Sequence, residues 1–282
     1  MSFQNITVVI TSFKSRGKIF NLLDSIDDRV KVIVIENSND KGLKQDIENK
    51  YKNIECILSS QNLGYAKGNN LGLSKVKTKF ALIVNPDAEL SKNTLENFLL
   101  SAEKNPEFTI ISPLIQEKKD INKYYNLKND KLIEVENVKG FAMFLNLSQF
   151  DDIGFFDDNF FIYFEEIDLC KRLRKKNKKL YLDPNISISH IGGSSHDKEI
   201  NFKMEVSRNW HWMWSSFYFY KKHYGYFFAL LKMSRKFLSA LIKSIFYYLI
   251  KNSEKNKIYF SRLSGLTSSI LMKKSWYRPK ID

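Results

Sequence analysis

The apolar runs ITVVIT at residues 6–11, VKVIVI at 30–35, IECIL at 54–58 and FALIV at 80–84 decide the fold of this chain. Each is rich in β-branched residues and bounded by turn formers, the pattern of a strand. Between them, residues 18–26, 43–51 and 65–74 place apolar side chains at helical spacing. Strand and helix in alternation specify an α/β fold with a mostly parallel sheet flanked by helices. A further helix over 91–104 and strands over 108–112 and 138–145 continue the pattern. Residues 116–136 are charged, Asn-rich and aperiodic, which reads as a surface excursion.

The chain has 282 residues, 43% of them hydrophobic, enough for one large domain with an appendage. Two cysteines, Cys56 and Cys170, lie far apart without metal-type spacing. That favours a reducing compartment over a disulfide framework. The first residues, MSFQNITVVITSF, lack a basic segment followed by a long apolar core, so they read as the start of the fold rather than a signal peptide.

Charge divides the chain into residues 1–200 and a basic, aromatic-rich helical extension, 201–282. The extension holds sixteen Lys and Arg against three Asp and Glu, which is almost the whole formal charge of +14. Eleven aromatic residues fall within the nineteen of 210–228. Uncharged stretches such as 237–242 and 244–250 are far shorter than the roughly 20 residues of a membrane-spanning helix. Aromatics on one side and cations on the other suit an anionic bilayer surface, and a cap packed on the sheet domain is the competing reading. Nucleic acid is disfavoured, because the aromatics alternate with aliphatics and no nucleic-acid fold is recognisable.

Parallel sheets bind ligands beyond the carboxyl ends of their strands, which singles out Thr11-Ser12, Glu36-Asn37-Ser38 and Asn85-Pro86-Asp87. Asp87, in NPDAE after a core strand, can hold a divalent cation, or it can cap a helix starting near Ser91. The loop NLGYAKGNNLG at 62–72 supplies glycines for close backbone approach, as a phosphate loop does, although taken alone an ordinary capped turn is the favoured reading. Residues 160–174, FFIYFEEIDLCKRLR, set Glu165, Glu166 and Asp168 beside an aromatic run, with Arg172 one turn later. Buried carboxylates cost desolvation energy, so the cluster suggests use, although an acidic first helical turn also suits the helix dipole. His190, in ISHIGGSSH, ends another short β-like run before two glycines.

Seven motifs in order resemble a family 2 glycosyltransferase of the GT-A fold, close to its bacterial rhamnosyltransferase-like branch. They are VVITSF (8–13), VIENS (34–38), NLGYAKGNNLG (62–72), NPDAEL (85–90), KGFAMFL (139–145), GFFDDNFFIYFEEIDLCKRLR (154–174) and HIGGSS (190–195). The resemblance implies an inverting transferase moving a sugar from a nucleotide-diphospho-sugar, with dTDP-rhamnose the donor the branch favours. The acceptor it implies is a cell-surface polysaccharide or a polyprenyl-diphosphate-linked glycan. Thr11, Ser12, Glu36, Asn62, Gly64, Asn70, Asn85 and Asp87 would line the nucleotide-sugar pocket. Asp87 and His190 would bind Mg2+ or Mn2+, with Asn85 standing where the motif's first Asp usually falls. Glu165-Glu166 matches the family's ED pair, the second member being the general base, and Asp168 and Arg172 would orient the acceptor side. Burial near Phe161 and Phe164 would raise the base's pKa towards neutrality.

Two other functions compete. A sugar-1-phosphate nucleotidyltransferase needs a Gly- and Arg-rich loop after the first strand, whereas TSFKSRG at 11–17 is poor in Gly. A non-catalytic, transferase-like module that binds membrane or nucleic acid through its tail would be expected to lack the metal or base carboxylates, yet Asp87 and Glu166 are present. The resulting expectation is a cytoplasmic enzyme, peripheral on the inner face of the cytoplasmic membrane.

Overall fold

A computed structural model describes residues 2–115, 132–190 and 200–279. The chain forms two compact units: residues 1–63, 67–156 and 166–197 make one, and 64–66, 157–165 and 198–282 the other.

The first unit is built on β1 (Ile6–Ser12), α1 (Arg16–Asp24), β2 (Lys31–Glu36), α2 (Lys41–Lys50), β3 (Ile54–Leu58), α3 (Gly64–Leu73, whose first three residues count with the second unit) and β4 (Phe80–Val84). There follow β5 (Ala88–Leu90), α4 (Thr94–Lys104), β6 (Phe108–Ile115), β7 (Ile133–Glu134), β8 (Ala142–Asn146), α5 (Glu165–Lys175) and β9 (Lys179–His190). The strands form one sheet in the order β3-β2-β1-β4-β8-β6-β9-β5, with β7 added beside β9. The half of the sheet read from the sequence is parallel, with Ser12 opposite Glu36 and Val9 opposite Ile83. Strand β8 then runs antiparallel to β4, pairing Ala142 with Val84. The fold is therefore α/β, a mixed sheet flanked by helices, followed by helices at the C-terminal end.

Strands β1, β2 and β4 are nearly continuous apolar runs because they are buried on both faces. Under β8 the core is a cluster of phenylalanine rings, with Phe144 centred 4.9 Å from Phe98, 5.2 Å from Phe80 and 5.6 Å from Phe108. Those ring contacts add to the hydrophobic gain of burying three other phenylalanine side chains around Phe144.

Several expectations change. The run ending at His190 is not short: β9 has twelve residues and carries Asp183-Pro184-Asn185 through a break in register against β6. Helix α4 begins at Thr94, with Asn93 at its cap position. Asp87 therefore does not cap a helix near Ser91; it leads into β5, which pairs with β9. Part of the 116–136 excursion, Ile133–Glu134, is the short strand β7, and the rest up to residue 131 lies outside the described residues.

The second unit is helical: α6 (Asn201–Tyr224), α7 (Tyr226–Leu249) and α8 (Ser253–Ile270). Met213 and Phe217 of α6, Ala229 and Met233 of α7 and Leu266 of α8 form its core. Helices α6 and α8 meet at Gly265, where a Cβ would stand 2.2 Å from the Trp210 carbonyl oxygen. Only glycine allows that approach. Trp210 Nε1 donates to Ser264 Oγ at 3.2 Å and Arg262 Nε to Asn209 Oδ1 at 2.6 Å, which fixes the crossing. Among the described residues no helix is long and apolar enough to cross a membrane.

Candidate active site

In the first unit the site is assembled from three neighbouring strand ends. Thr11 and Ser12 close β1, Glu36 closes β2, and Asn85 follows β4. Asn37 N–H donates to the Ser12 carbonyl at 2.8 Å, tying the first two ends together. The Ser12 hydroxyl is fully buried and its Oγ has no hydrogen-bond partner among the described residues. A buried hydroxyl left in that state costs free energy unless a ligand completes it.

Glu36 is also fully buried, and its carboxylate is spent on its own loop. It accepts from Ser38 N–H at 3.0 Å, from the Ser38 hydroxyl and from Asp40 N–H at 2.7 Å. Asp40 in turn caps α2 through Leu43 N–H at 2.8 Å. The acidic residue expected to meet a nucleotide base thus braces the loop that borders the pocket.

The 62–72 loop separates into two kinds of residue. Thr11 Oγ1 donates to Asn69 Oδ1 at 3.1 Å, and a Cβ on Gly68 would lie 2.5 Å from the Thr11 methyl, so α3 presses against the end of β1. Asn70 uses both ends of its amide on the Phe156 backbone, at 2.9 and 3.1 Å. That clamp fixes the chain where it leaves for residues 157–165. Asn62 is half-buried ahead of the helix. Gly64, in the second unit, has φ +77°, and a Cβ there would sit 2.3 Å from the Phe161 carbonyl oxygen. Tyr65 N–H donates to that same oxygen at 2.7 Å.

Asp87 is 8% exposed, in the turn after β4 that Asn85 N–H anchors to the Phe141 carbonyl at 2.8 Å. Ala88, its neighbour, stands opposite His190 in the β5–β9 pair, so the backbone of His190 is adjacent; its side chain lies outside the described residues. No group of three or more metal-type side chains occurs among the described residues. A single buried carboxylate still fits Mg2+ or Mn2+, since such ions are commonly held by one or two carboxylates together with substrate phosphates.

The carboxylate segment holds the strongest electrostatic signal. Burial pushes the Glu166 carboxyl up from its ordinary value, against a smaller opposite pull from the backbone N–H groups of Glu166 and Ile167. Its Oε2 is buried with no hydrogen-bond partner among the described residues. Glu165 is 4% exposed at the first position of α5. Asp168 is fully buried and receives Arg172 Nε at 2.8 Å. The same guanidinium donates to the carbonyls of Ile153, at 3.0 Å, and Phe155. This pair therefore orients the 153–155 loop.

Sequence reasoning did not find the backbone that delivers this segment. Tyr163 and Phe164 both have φ +71°, a left-handed conformation costing roughly 1–2 kcal/mol for each bulky residue. Within the second unit the bend is held by Ser215 Oγ donating to the Ile162 carbonyl at 2.9 Å. Trp212 also holds it, its ring 5.3 Å from both Tyr163 and Phe164. Strain held by surrounding structure immediately before two buried carboxylates marks a functional segment. The aromatic run was a visible signal; the reversal of φ was not. Phe161 stacks on His211 at 4.4 Å, and burial together with Arg278 pushes the His211 imidazole down to about 3.

Similarity to known proteins settles the class. Residues 7–170 match the family model described as Glycosyl transferase family 2, which covers more than half of the chain. The chain belongs to glycosyl transferase family 2. Among characterised members it is 28% identical over 200 residues to the low-salt glycan biosynthesis hexosyltransferase Agl10 of Haloferax volcanii. That similarity spans 61% of this chain and 62% of the relative, so less than two thirds of the archaeal protein is represented. It is 26% identical over 239 residues to the rhamnosyltransferase WbbL of Escherichia coli, spanning 72% of this chain and 88% of that protein. A mannosyltransferase from Pyrobaculum calidifontis, solved in complex with GDP-Man and Mn2+, shares the fold with a TM-score of 0.60 at 12% identity. That likeness covers 96% of this chain and 88% of the other. The family model ends within α5, so it takes in the strand ends, Asp87 and the Glu165-Glu166 pair.

Proposed function

We propose that this family 2 protein is an inverting hexosyltransferase. It would move a sugar, rhamnose being favoured by the relatives' names, from a nucleotide-diphospho-sugar to a hydroxyl of a surface polysaccharide or lipid-linked glycan precursor. The observation that carries the reading is the Glu166 carboxyl, whose Oε2 is buried without a hydrogen-bond partner among the described residues and whose affinity for protons is raised by burial. Such a group suits the task of taking a proton at neutral pH.

The donor would lie across the strand ends, with the Ser12 hydroxyl, Thr11, Asn62, Asn85 and the loop braced by Glu36 forming its pocket. Asn70 would shape that pocket through its contacts with the Phe156 backbone. Asp87, with His190 beside it, would hold Mg2+ or Mn2+, which when bound offsets the charge gathering on the departing diphosphate. Glu166 would accept the acceptor hydroxyl's proton as its oxygen bonds to the anomeric carbon. The bond from that carbon to the diphosphate oxygen breaks in the same step, releasing nucleoside diphosphate and inverting the centre. Glu165 would set the position of Glu166, and Asp168 with Arg172 would hold the acceptor-side loop. Residues 1–200 would carry this chemistry, with 201–282 keeping the enzyme at the inner face of the cytoplasmic membrane.

The test is nucleoside diphosphate release from a panel of dTDP-, UDP- and GDP-sugars with lipid-linked acceptor, with and without EDTA, for the natural chain and Asp87→Asn. One donor should stand out, and both EDTA and the substitution should lower its turnover by at least roughly tenfold, the scale of one lost charge-stabilising group. Absence of turnover across the panel would overturn the enzymatic reading. Undiminished turnover in Asp87→Asn would overturn the metal assignment alone.

A further inference from the structure

Helix α7 carries an apolar face that the described residues leave exposed. Phe227, Leu231, Leu238, Ile242, Ile245 and Leu249 are each more than half exposed, with Phe227 at 85% and Leu231 at 79%. Their separations of four, seven, four, three and four residues put them on one side of the helix. The stripe runs about 33 Å at 1.5 Å per residue. Ala229, Met233, Ala240 and Ser244, on the opposite side, are the buried positions. An apolar groove of about 760 Å3, walled by Phe227, Leu230, Leu231, Phe237, Leu266 and Ile270, opens beside the stripe and shares two residues with it. Contiguous apolar surface on this scale is a binding feature in a folded protein.

Charge tells what covers it. Lys232, Arg235, Lys236 and Lys243 line one flank of the stripe, and α7 contains no Asp or Glu. Three of these cations lie beside rings of the neighbouring helices. Lys232 is 5.9 Å from the Tyr220 centroid, Lys236 5.8 Å from Trp212 and Lys243 5.2 Å from Tyr259. Their ammonium groups are thereby kept along the flank instead of folding over the apolar face. A second copy of the chain docked stripe to stripe would bring these cations together with no acid on α7 to offset them. An anionic bilayer offers hydrocarbon for the stripe and headgroup charge for the flank at the same time.

We propose that α7 is the membrane-docking element, lying in the plane of an anionic bilayer with Phe227, Leu231, Leu238, Ile242, Ile245 and Leu249 immersed and its basic flank among the headgroups. This deepens the membrane part of the function proposed above, and its test needs no sugar transfer. Acyl chains would fill the groove at Phe237 and Ile270 as an extension of the same contact.

The experiment is co-sedimentation of the full chain with vesicles of phosphatidylcholine alone or mixed with phosphatidylglycerol, over a salt series. The full chain should pellet with the anionic vesicles, less so as salt rises, because screening shortens the reach of the charges. Lys232→Glu, Arg235→Glu, Lys236→Glu and Lys243→Glu together should lower partitioning roughly 10²–10³-fold at low salt. Leu231→Glu with Ile242→Glu should abolish it. Both changes are at exposed positions, and the milder Leu231→Ser with Ile242→Ser serves if far-UV circular dichroism shows the Glu form unfolded. A chain that ignores anionic vesicles, or variants that bind as the natural chain does, overturns the proposal. So does light scattering that shows a dimer converted to monomer by Leu231→Glu. Donor turnover measured on a soluble acceptor should be equal in all these variants, which separates failure of docking from failure of the transferase reading.

Discussion

Replacing Gly64 by Ala tests whether the contact between the 64–66 turn and Phe161 holds the carboxylate segment in place. Three costs can be worked out. At φ +77° an alanine bears the left-handed penalty, about 1–2 kcal/mol. Its Cβ would lie 2.3 Å from the Phe161 carbonyl oxygen and 2.4 Å from its ring, closer than real Cβ atoms come. Relieving that overlap moves well-packed groups, a cost of about 1–3 kcal/mol. It also separates Tyr65 N–H from the carbonyl it meets at 2.7 Å, about 1 kcal/mol more. Gly154 is the control, because its φ is +67° and a Cβ there would meet nothing within 4 Å. Gly154→Ala should therefore cost only the backbone penalty, about 1–2 kcal/mol. The gain from stiffening the unfolded chain, about 0.4–1 kcal/mol, applies to both and cancels. Urea unfolding followed by far-UV circular dichroism should place Gly64→Ala about 2–4 kcal/mol below Gly154→Ala, the sum of the packing and hydrogen-bond costs. Equal losses in the two variants would refute the reasoning, since the contact with Phe161 would then contribute nothing.

Two further expectations concern titrating groups. Glu166→Gln should lower sugar transfer roughly 10²–10⁴-fold with little change in donor binding, and a crippled Glu165→Gln beside an active Glu166→Gln would transfer the base role to Glu165. The same Glu166→Gln should be more stable than the natural chain at alkaline pH. The folded-state pKa of Glu166 is raised by burial, so its contribution is fully present below the ordinary value of 4.5 and lost as pH rises through the raised one. Urea midpoints of the two proteins that stay equal across that window would refute the burial argument. His211 works in the opposite sense: with its pKa down at about 3, the neutral ring contributes stability above the ordinary 6.5 that is lost as pH falls towards 3. The full loss is roughly 4–5 kcal/mol at 1.36 kcal/mol per pKa unit. His211→Phe, which keeps a ring against Phe161, should shift the acid unfolding midpoint downward. The four tryptophans, Trp210, Trp212, Trp214 and Trp276, all lie in the second unit and report it by fluorescence; an unchanged acid midpoint would refute the assignment.

The sequence alone determined the elements whose signals are local. Strands β1 to β4 appear where β-branched runs sit between turn formers, and in β1, β2 and β4 burial on both faces makes those runs nearly continuous. The motif order around Thr11, Glu36, Asp87 and Glu166 was legible for the same reason: each lies at the end of a locally encoded strand or helix. What required the tertiary structure depends on partners distant in sequence. Strand β5 has three residues and is held by pairing with β9, which is why a helix cap stood as the alternative reading of Asp87. That Glu36 also braces its own loop, accepting on both oxygens, shows only once that loop is folded. The left-handed Tyr163 and Phe164 carry no local signal, since contacts from Trp212, Ser215 and Phe219, distant in sequence, sustain a conformation their own side chains disfavour. The same holds for α7. Apolar residues stand on opposite sides of this helix, and the burial of Ala229, Met233 and Ala240 on one side decides which side is left for another partner.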